Sequence, residues 1–147
     1  MPAASGSGAR TAWMDHDGVM LAQDDPVQNQ WYPVIHDYNV RLIWCVVMQS
    51  NDEAAAKHLE ITWTIDGNVY FFTDDFVSGT MYYIYKDRLP SVGGTSGLQW
   101  STTILNAAHY VDKRGLDFAI DARIIDVGGT NQLLGAFAVY ETLEDAI

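Results

Sequence analysis

The stretch Leu59 to Phe72, LEITWTIDGNVYFF, repeats with a period of two. Leu59, Ile61, Trp63 and Ile65 fall on one side. Glu60, Thr62, Thr64 and Asp66 fall on the other. Successive side chains of an extended chain point to opposite faces, so this pattern predicts an antiparallel strand with one dry and one wet face. Asp66-Gly67 tolerates the positive φ of a two-residue hairpin turn. Asn68 to Thr73 is then the return strand.

A second hairpin is legible further on. Leu116, Phe118, Ile120, Ala122 and Ile124 alternate with Asp117, Ala119, Asp121, Arg123 and Ile125. Gly128 to Asn131 reads as the turn, and QLLGAFAVYETLE as the last strand, with Gly135 marking a bulge or a close approach. Asn39 to Gln49 is apolar on both sides, which predicts a strand covered on both faces. Val40, Leu42, Trp44, Val46 and Met48 form one side; Ile43, Cys45 and Val47 form the other. Gln30 to Ile35 reads as an earlier short strand, with Pro33 at an edge or bulge. GTMYYIYKDR favours a strand by its aromatic content, and SVGGTSG reads as a loop. LQWSTTILNAAHYV reads as a strand, or as a strand followed by a helical turn over Leu105 to His109. SNDEAAAKH reads as a corner between sheets, with a helical turn capped by Asn51 or Asp52.

About eight short strands separated by turn signals predict an all-β fold. The expected architecture is an antiparallel β-sandwich, jelly-roll-like, since the cysteine–tryptophan–cysteine spacing of an immunoglobulin domain is absent. The division expected is a flexible N-terminal arm over 1–12, rich in Ala, Ser and Gly, and a single β-sandwich domain over 13–147. A chain of 147 residues is long enough to bury a core without staples.

Charge narrows the function classes. Nineteen acidic residues against eight basic ones give a net charge of -11. That argues against direct nucleic-acid binding, which needs clustered Lys and Arg. The N-terminus lacks the charged and apolar regions of a signal peptide, and no apolar run has the length of a membrane span. The expectation is a protein made soluble in a cytoplasm, with no membrane partner. The single cysteine, Cys45, reads as a small core hydrophobe.

No catalytic signature is present, so the chain is expected not to be an enzyme, and no cofactor is expected. The four histidines, His16, His36, His58 and His109, show no zinc-ligand spacing. Asp15, Asp17, Asp74 and Asp75 are weak candidates for hard oxygen ligands of calcium. Their spacing does not fit the twelve-residue calcium loop. Asp17-Gly18 and Asp24-Asp25-Pro26 read as turn chemistry instead.

Aromatics are more informative. Five Trp and eight Tyr are many for a small β-protein, and several lie in segments without a clear inward face. Trp13, Trp31, Tyr32, Tyr38, Tyr82, Tyr83, Tyr85 and Trp100 suit a subunit interface, a core or a sugar-stacking face. Strands apolar on both faces would expose large patches on a monomer. Trp44, Tyr70, Phe72, Phe137 and Val139 are therefore the candidate partner interface of a homo-oligomer, a trimer being favoured.

VRLIWCVVMQ followed by SNDEAAAKHLEITWTIDGNVYFF, with the late LLGAFAVYETLE, resembles small β-sandwich proteins encoded among bacteriophage virion genes. The resemblance covers about residues 39 to 72, and beyond them only the strand pattern. It implies a viral structural protein: a homo-oligomeric capsid decoration, head-fibre or tail component of a virion, partnered by other virion proteins. It carries over no catalytic residues. The alternative is a carbohydrate- or receptor-binding module, calcium-assisted or not.

Overall fold

The computed structural model describes residues 10–52, 57–76, 78–86, 91–94, 97–99, 114–126 and 131–146. Among them are nine strands: β1 (Arg10–Asp24), β2 (Tyr32–Ser50), β3 (Lys57–Ile65), β4 (Asn68–Phe76), β5 (Met81–Tyr85), β6 (Ser91–Gly94), β7 (Gly97–Gln99), β8 (Arg114–Ile124) and β9 (Leu133–Ala146). All pairings are antiparallel. The strand order is β4-β3-β8-β2-β5-β6-β7, with β9 pairing both β2 and β1. Among the described residues, no helix is long and apolar enough to cross a membrane.

β2 organises the sheet. One edge pairs β9 over Val40 to Ser50. The other edge is shared: Tyr32 to Arg41 pair β8, and Trp44 to Met48 pair β5. The two expected strands, Gln30 to Ile35 and Asn39 to Gln49, are thus one strand of 19 residues. Irregularities bend it. Val34 is extra against β8, beside Pro33, and Asn39 adopts a φ of 55°. Ile43 is extra against β9, because Val139 pairs Trp44 while Tyr140 pairs Leu42.

The extra residue at Ile43 corrects the expected facing. An inserted residue reverses the side on which all later residues lie. Val40 and Leu42 therefore share the buried side with Cys45, Val47 and Gln49, whereas Trp44, Val46 and Met48 turn outward.

Rings on β4 and β5 meet although their rows join β2 near its opposite ends: Phe72 is in line with Tyr32 through Ile61 and Ala122, and Tyr82 is in line with Val47. In a flat sheet those rows would lie about 50 Å apart along β2. Yet Phe72 of β4 stacks on Tyr82 of β5 with centroids 4.2 Å apart. The sheet therefore folds over, and its inner face encloses the core. Leu59, Ile61 and Trp63 from β3, Phe118, Ile120 and Ile124 from β8, and Leu134 and Ala138 from β9 are fully or almost fully buried there. Trp63 lies between Tyr70 and Tyr82, at 6.1 and 6.3 Å.

The Asp66-Gly67 hairpin forms as its sequence requires, with φ of 50° and 85°. Its return strand runs to Phe76, past Thr73. Other expectations are corrected. β1 carries Asp17-Gly18, which therefore lies in a strand and not in a turn. Arg10 to Ala12 of the expected arm pair with Glu144 to Ala146. SVGGTSG contributes β6 and β7. The segment over Leu105 to His109 lies outside the described residues, as do 1–9, Trp100 and most of the Gly128 to Asn131 turn.

At the SNDEAAAKH corner, both expected cap residues have tertiary partners. Asn51 is buried, and its backbone N–H donates to the Ser78 hydroxyl at 3.0 Å. Its amide donates to Gln49 Oε1 at 2.9 Å, and Gln49 Nε2 donates to the Phe76 carbonyl at 2.7 Å. The Asp52 carboxylate accepts from the Asn131 amide at 2.7 Å. The corner is tied to β4 and to the chain entering β9 by satisfied polar groups, as burial demands. Residues 53–56 lie outside the described residues.

Tyr82 breaks that rule. It is fully buried, and its hydroxyl has no hydrogen-bond partner among the described residues. Burial pushes its pKa far above the ordinary 10.0. Tyr82→Phe removes the unpaired group and keeps the ring stack. It is expected to raise stability by about 1 kcal/mol, seen as a higher urea midpoint at unchanged slope. A lower midpoint would mean that the hydroxyl has a partner in solution.

Candidate functional site

Directly paired residues of antiparallel strands share a face, so the register defines what the molecule shows outward. Three outer surfaces differ in chemistry.

The outer side of β3, β4 and β8 is mainly polar, apart from the exposed Val69 and Phe71 on β4. Arg123 binds Glu60, with its Nε donating to Oε1 at 2.6 Å, and its guanidinium lies 4.6 Å from the Trp31 ring centroid. His58 is held between Asp75 at 2.9 Å and Thr73 at 2.6 Å. His36 meets Asp121 at 2.8 Å. These are one ion pair, Arg123 with Glu60, and histidine hydrogen bonds on a wet face. Among the described residues, no group of three His, Cys, Asp or Glu side chains could hold a metal ion. The metal candidates are split accordingly: Asp15 and Asp17 lie on β1, Asp74 and Asp75 on β4. Asp75 is engaged by His58.

The outer side of β5, β2, β9 and β1 is apolar. Its rows follow from the pairing. Met81, Met48, Gly135 and Ala22 form one; Tyr83, Val46, Phe137 and Val19 the next; Tyr85, Trp44, Val139 and Asp17 the third. Trp44 stacks on Phe137 at 5.4 Å, and Tyr83 on Tyr85 at 6.0 Å. Val19 is 70% exposed, and an open cavity of about 280 Å³ lies among Val19, Leu21, Val46, Met48 and Phe137. The next row, Arg41, Glu141 and Asp15, ends the apolar area with charge. Arg41 and Glu141 form an ion pair at 2.8 Å.

Beyond that row is a cleft of about 310 Å³, between the end of β1–β9 and the β3–β4 turn. Trp13, Leu143, Val40 and Leu116 give it apolar walls; Asn39, Asp66 and Arg114 border it.

On the inner side near this end, His16 stacks on Tyr140 at 4.7 Å and is hydrogen-bonded to the buried Thr142 at 2.8 Å. Burial, then the neighbouring and hydrogen-bonded Asp37 carboxylate, push the Tyr140 pKa up. Thr142 is too enclosed to meet a substrate, so this cluster joins β1 to β9.

Of the candidate interface residues, the structure brings together Trp44, Phe137 and Val139. It separates the other two. Phe72 is buried in the core against Phe76 and Tyr82, and Tyr70 packs on the same core beside Trp63. The outward residues of β4 are instead Val69 and Phe71, both exposed. Sequence reasoning missed Val19, and it left Trp13 among aromatics suited to an interface, a core or a sugar-stacking face. DHDG interrupts the apolar pattern of β1, and only pairing with β9 restores it.

The chain matches no protein-family model and no curated protein sequence.

Proposed function

We propose that this chain is a non-enzymatic structural subunit that assembles with copies of itself through the apolar outer side of β5, β2, β9 and β1. The observation that carries the reading is the three rows around Trp44, Val46, Phe137 and Val19, apolar at every position but Asp17. A broad unpaired apolar face is a cost to an isolated soluble subunit and a contact surface for an oligomer. Closed symmetric assemblies use such a face without leaving open ends. A trimer is the favoured state, and a capsid decoration, head or tail component of a bacteriophage virion is the favoured role. The net charge of -11 then keeps assembled particles apart in solution. In this reading the folded-over sheet closes as a jelly-roll-like sandwich, supported by the stacking of Phe72 on Tyr82.

The test is absolute mass by light scattering, with and without a calcium chelator. A stable oligomer indifferent to chelation is expected. Phe137→Asp places a charge in the middle row and is expected to weaken association by at least about 100-fold, since an unpaired charge buried at an interface costs several kcal/mol. A wild-type chain that stays monomeric at high concentration sinks the proposal.

A second reading, a carbohydrate-binding module, is favoured by one specific observation: the cleft beside Trp13.

A further inference from the structure

We infer that the cleft beside Trp13 binds a single sugar ring of a saccharide, with the Trp13 indole as its stacking platform. The inference deepens the carbohydrate-binding reading, rests on it, and does not depend on oligomerisation.

The platform is fixed before any ligand arrives. The Arg41 guanidinium lies 3.8 Å from the Trp13 ring centroid and is itself anchored by Glu141 at 2.8 Å. An aromatic side chain already held in place loses little freedom on binding. The indole is nevertheless 41% exposed and lines the cleft. Leu116 beside it is 69% exposed, an apolar group with no use in the core.

The walls are built by backbone geometry. Asn39 stands at a φ of 55° within β2, where a non-glycine residue is uncommon. Asp66 is tied to β8 twice: its N–H donates to the Asp117 carbonyl at 2.8 Å, and its Oδ1 accepts from the Asp117 N–H at 2.9 Å. That close approach requires Gly115, because a Cβ there would lie 2.7 Å from Ile65 Cγ2 and 3.3 Å from Asp66 Oδ1. The carboxylate retains acceptor capacity for further donors.

The chemistry selects the ligand class. A pyranose has a C–H face that suits the negative face of an aromatic ring, and a rim of hydroxyls that both donate and accept. The cleft sets an indole and aliphatic walls beside an amide, a carboxylate and a guanidinium. Its volume is at the small end of ligand pockets, which span about 300–1,000 Å³. One ring fits that size better than a protein surface, which needs a broader contact.

The experiment is tryptophan fluorescence and calorimetric titration of the full chain. The probes are glucose, galactose, N-acetylglucosamine and their β-1,4-linked disaccharides. At least one probe is expected to bind saturably, with a Kd of about 1 mM or tighter. Trp13→Ala is expected to weaken that binding by about tenfold or more, and Trp13→Phe by less. Asp66→Asn, which keeps a residue tolerant of positive φ, is expected to weaken it several-fold. Circular dichroism checks that each variant is folded. Binding that survives Trp13→Ala unchanged overturns the site while leaving a carbohydrate module standing. Absence of saturable binding by every probe overturns both. Either result leaves the light-scattering test of oligomerisation unaffected.

Discussion

Trp63→Ala is expected to cost about 3–5 kcal/mol, the range for deleting a large buried aromatic ring. Whole domains are stable by about 5–15 kcal/mol. The variant should therefore be marginally folded or unfolded at room temperature. Trp63 is fully buried on β3, and its ring bridges Tyr70 on β4 and Tyr82 on β5. It thus holds together two parts of the sheet that are remote in strand order. Collapse cannot fill the gap cheaply, because the flanking Tyr82 ring is itself held by stacking on Phe72. Urea unfolding followed by circular dichroism measures the effect. A loss below about 1 kcal/mol would mean that the ring is not enclosed as described.

Alkali is expected to unfold the protein through Cys45. Burial pushes its thiol from 9.0 up to about 12. The folded chain therefore holds the proton where the unfolded chain has released it. The associated stability is fully present below pH 9.0 and is lost as pH rises towards about 12. The slope is about 1.4 kcal/mol per pH unit, or about 4 kcal/mol across the interval. Tyr82 adds to the loss above 10.0, by the same sign and the same cause. Cys45→Ala should be less stable at neutral pH, because it leaves a small void. It should also lose stability less steeply between pH 9 and 10 than the parent chain. Equal slopes there would show that the thiol is accessible to water.

Much of the fold was legible in the alternation. LEITWTID became β3 with Leu59, Ile61 and Trp63 inward, and Phe118, Ile120, Ala122 and Ile124 became the inner face of β8. The Asp66-Gly67 turn needed only the local preference of two residues for positive φ. Leu116 continues the same alternation and yet is exposed, because it lies beyond the end of the enclosed face, at the cleft. β1 was not legible, because a strand carrying three Asp and a Gly gains its order from fourteen pairings with β9, remote in sequence. Of the candidate interface, Trp44, Phe137 and Val139 were readable as outward apolar residues. Phe72 was misplaced, because a strand apolar on both faces does not say which face is inside.

The sequence by itself determined that the chain is built of antiparallel strands, where one hairpin turns, and that there is more apolar surface than one dry face per strand can use. These follow from side-chain periodicity and turn preference, which act over a few residues. The tertiary structure alone decided which face is buried in the strands that are apolar on both sides. One extra residue at Ile43 reverses the facing of the rest of β2, and no local preference marks it. The structure alone also decided that Trp44, Phe137 and Val19 share a surface, and that at one end of it Trp13 meets Arg41 and lines a cleft with Asn39 and Asp66. Such contacts join residues far apart in the chain, and their position is fixed by strand register and by the folding of the sheet over its core.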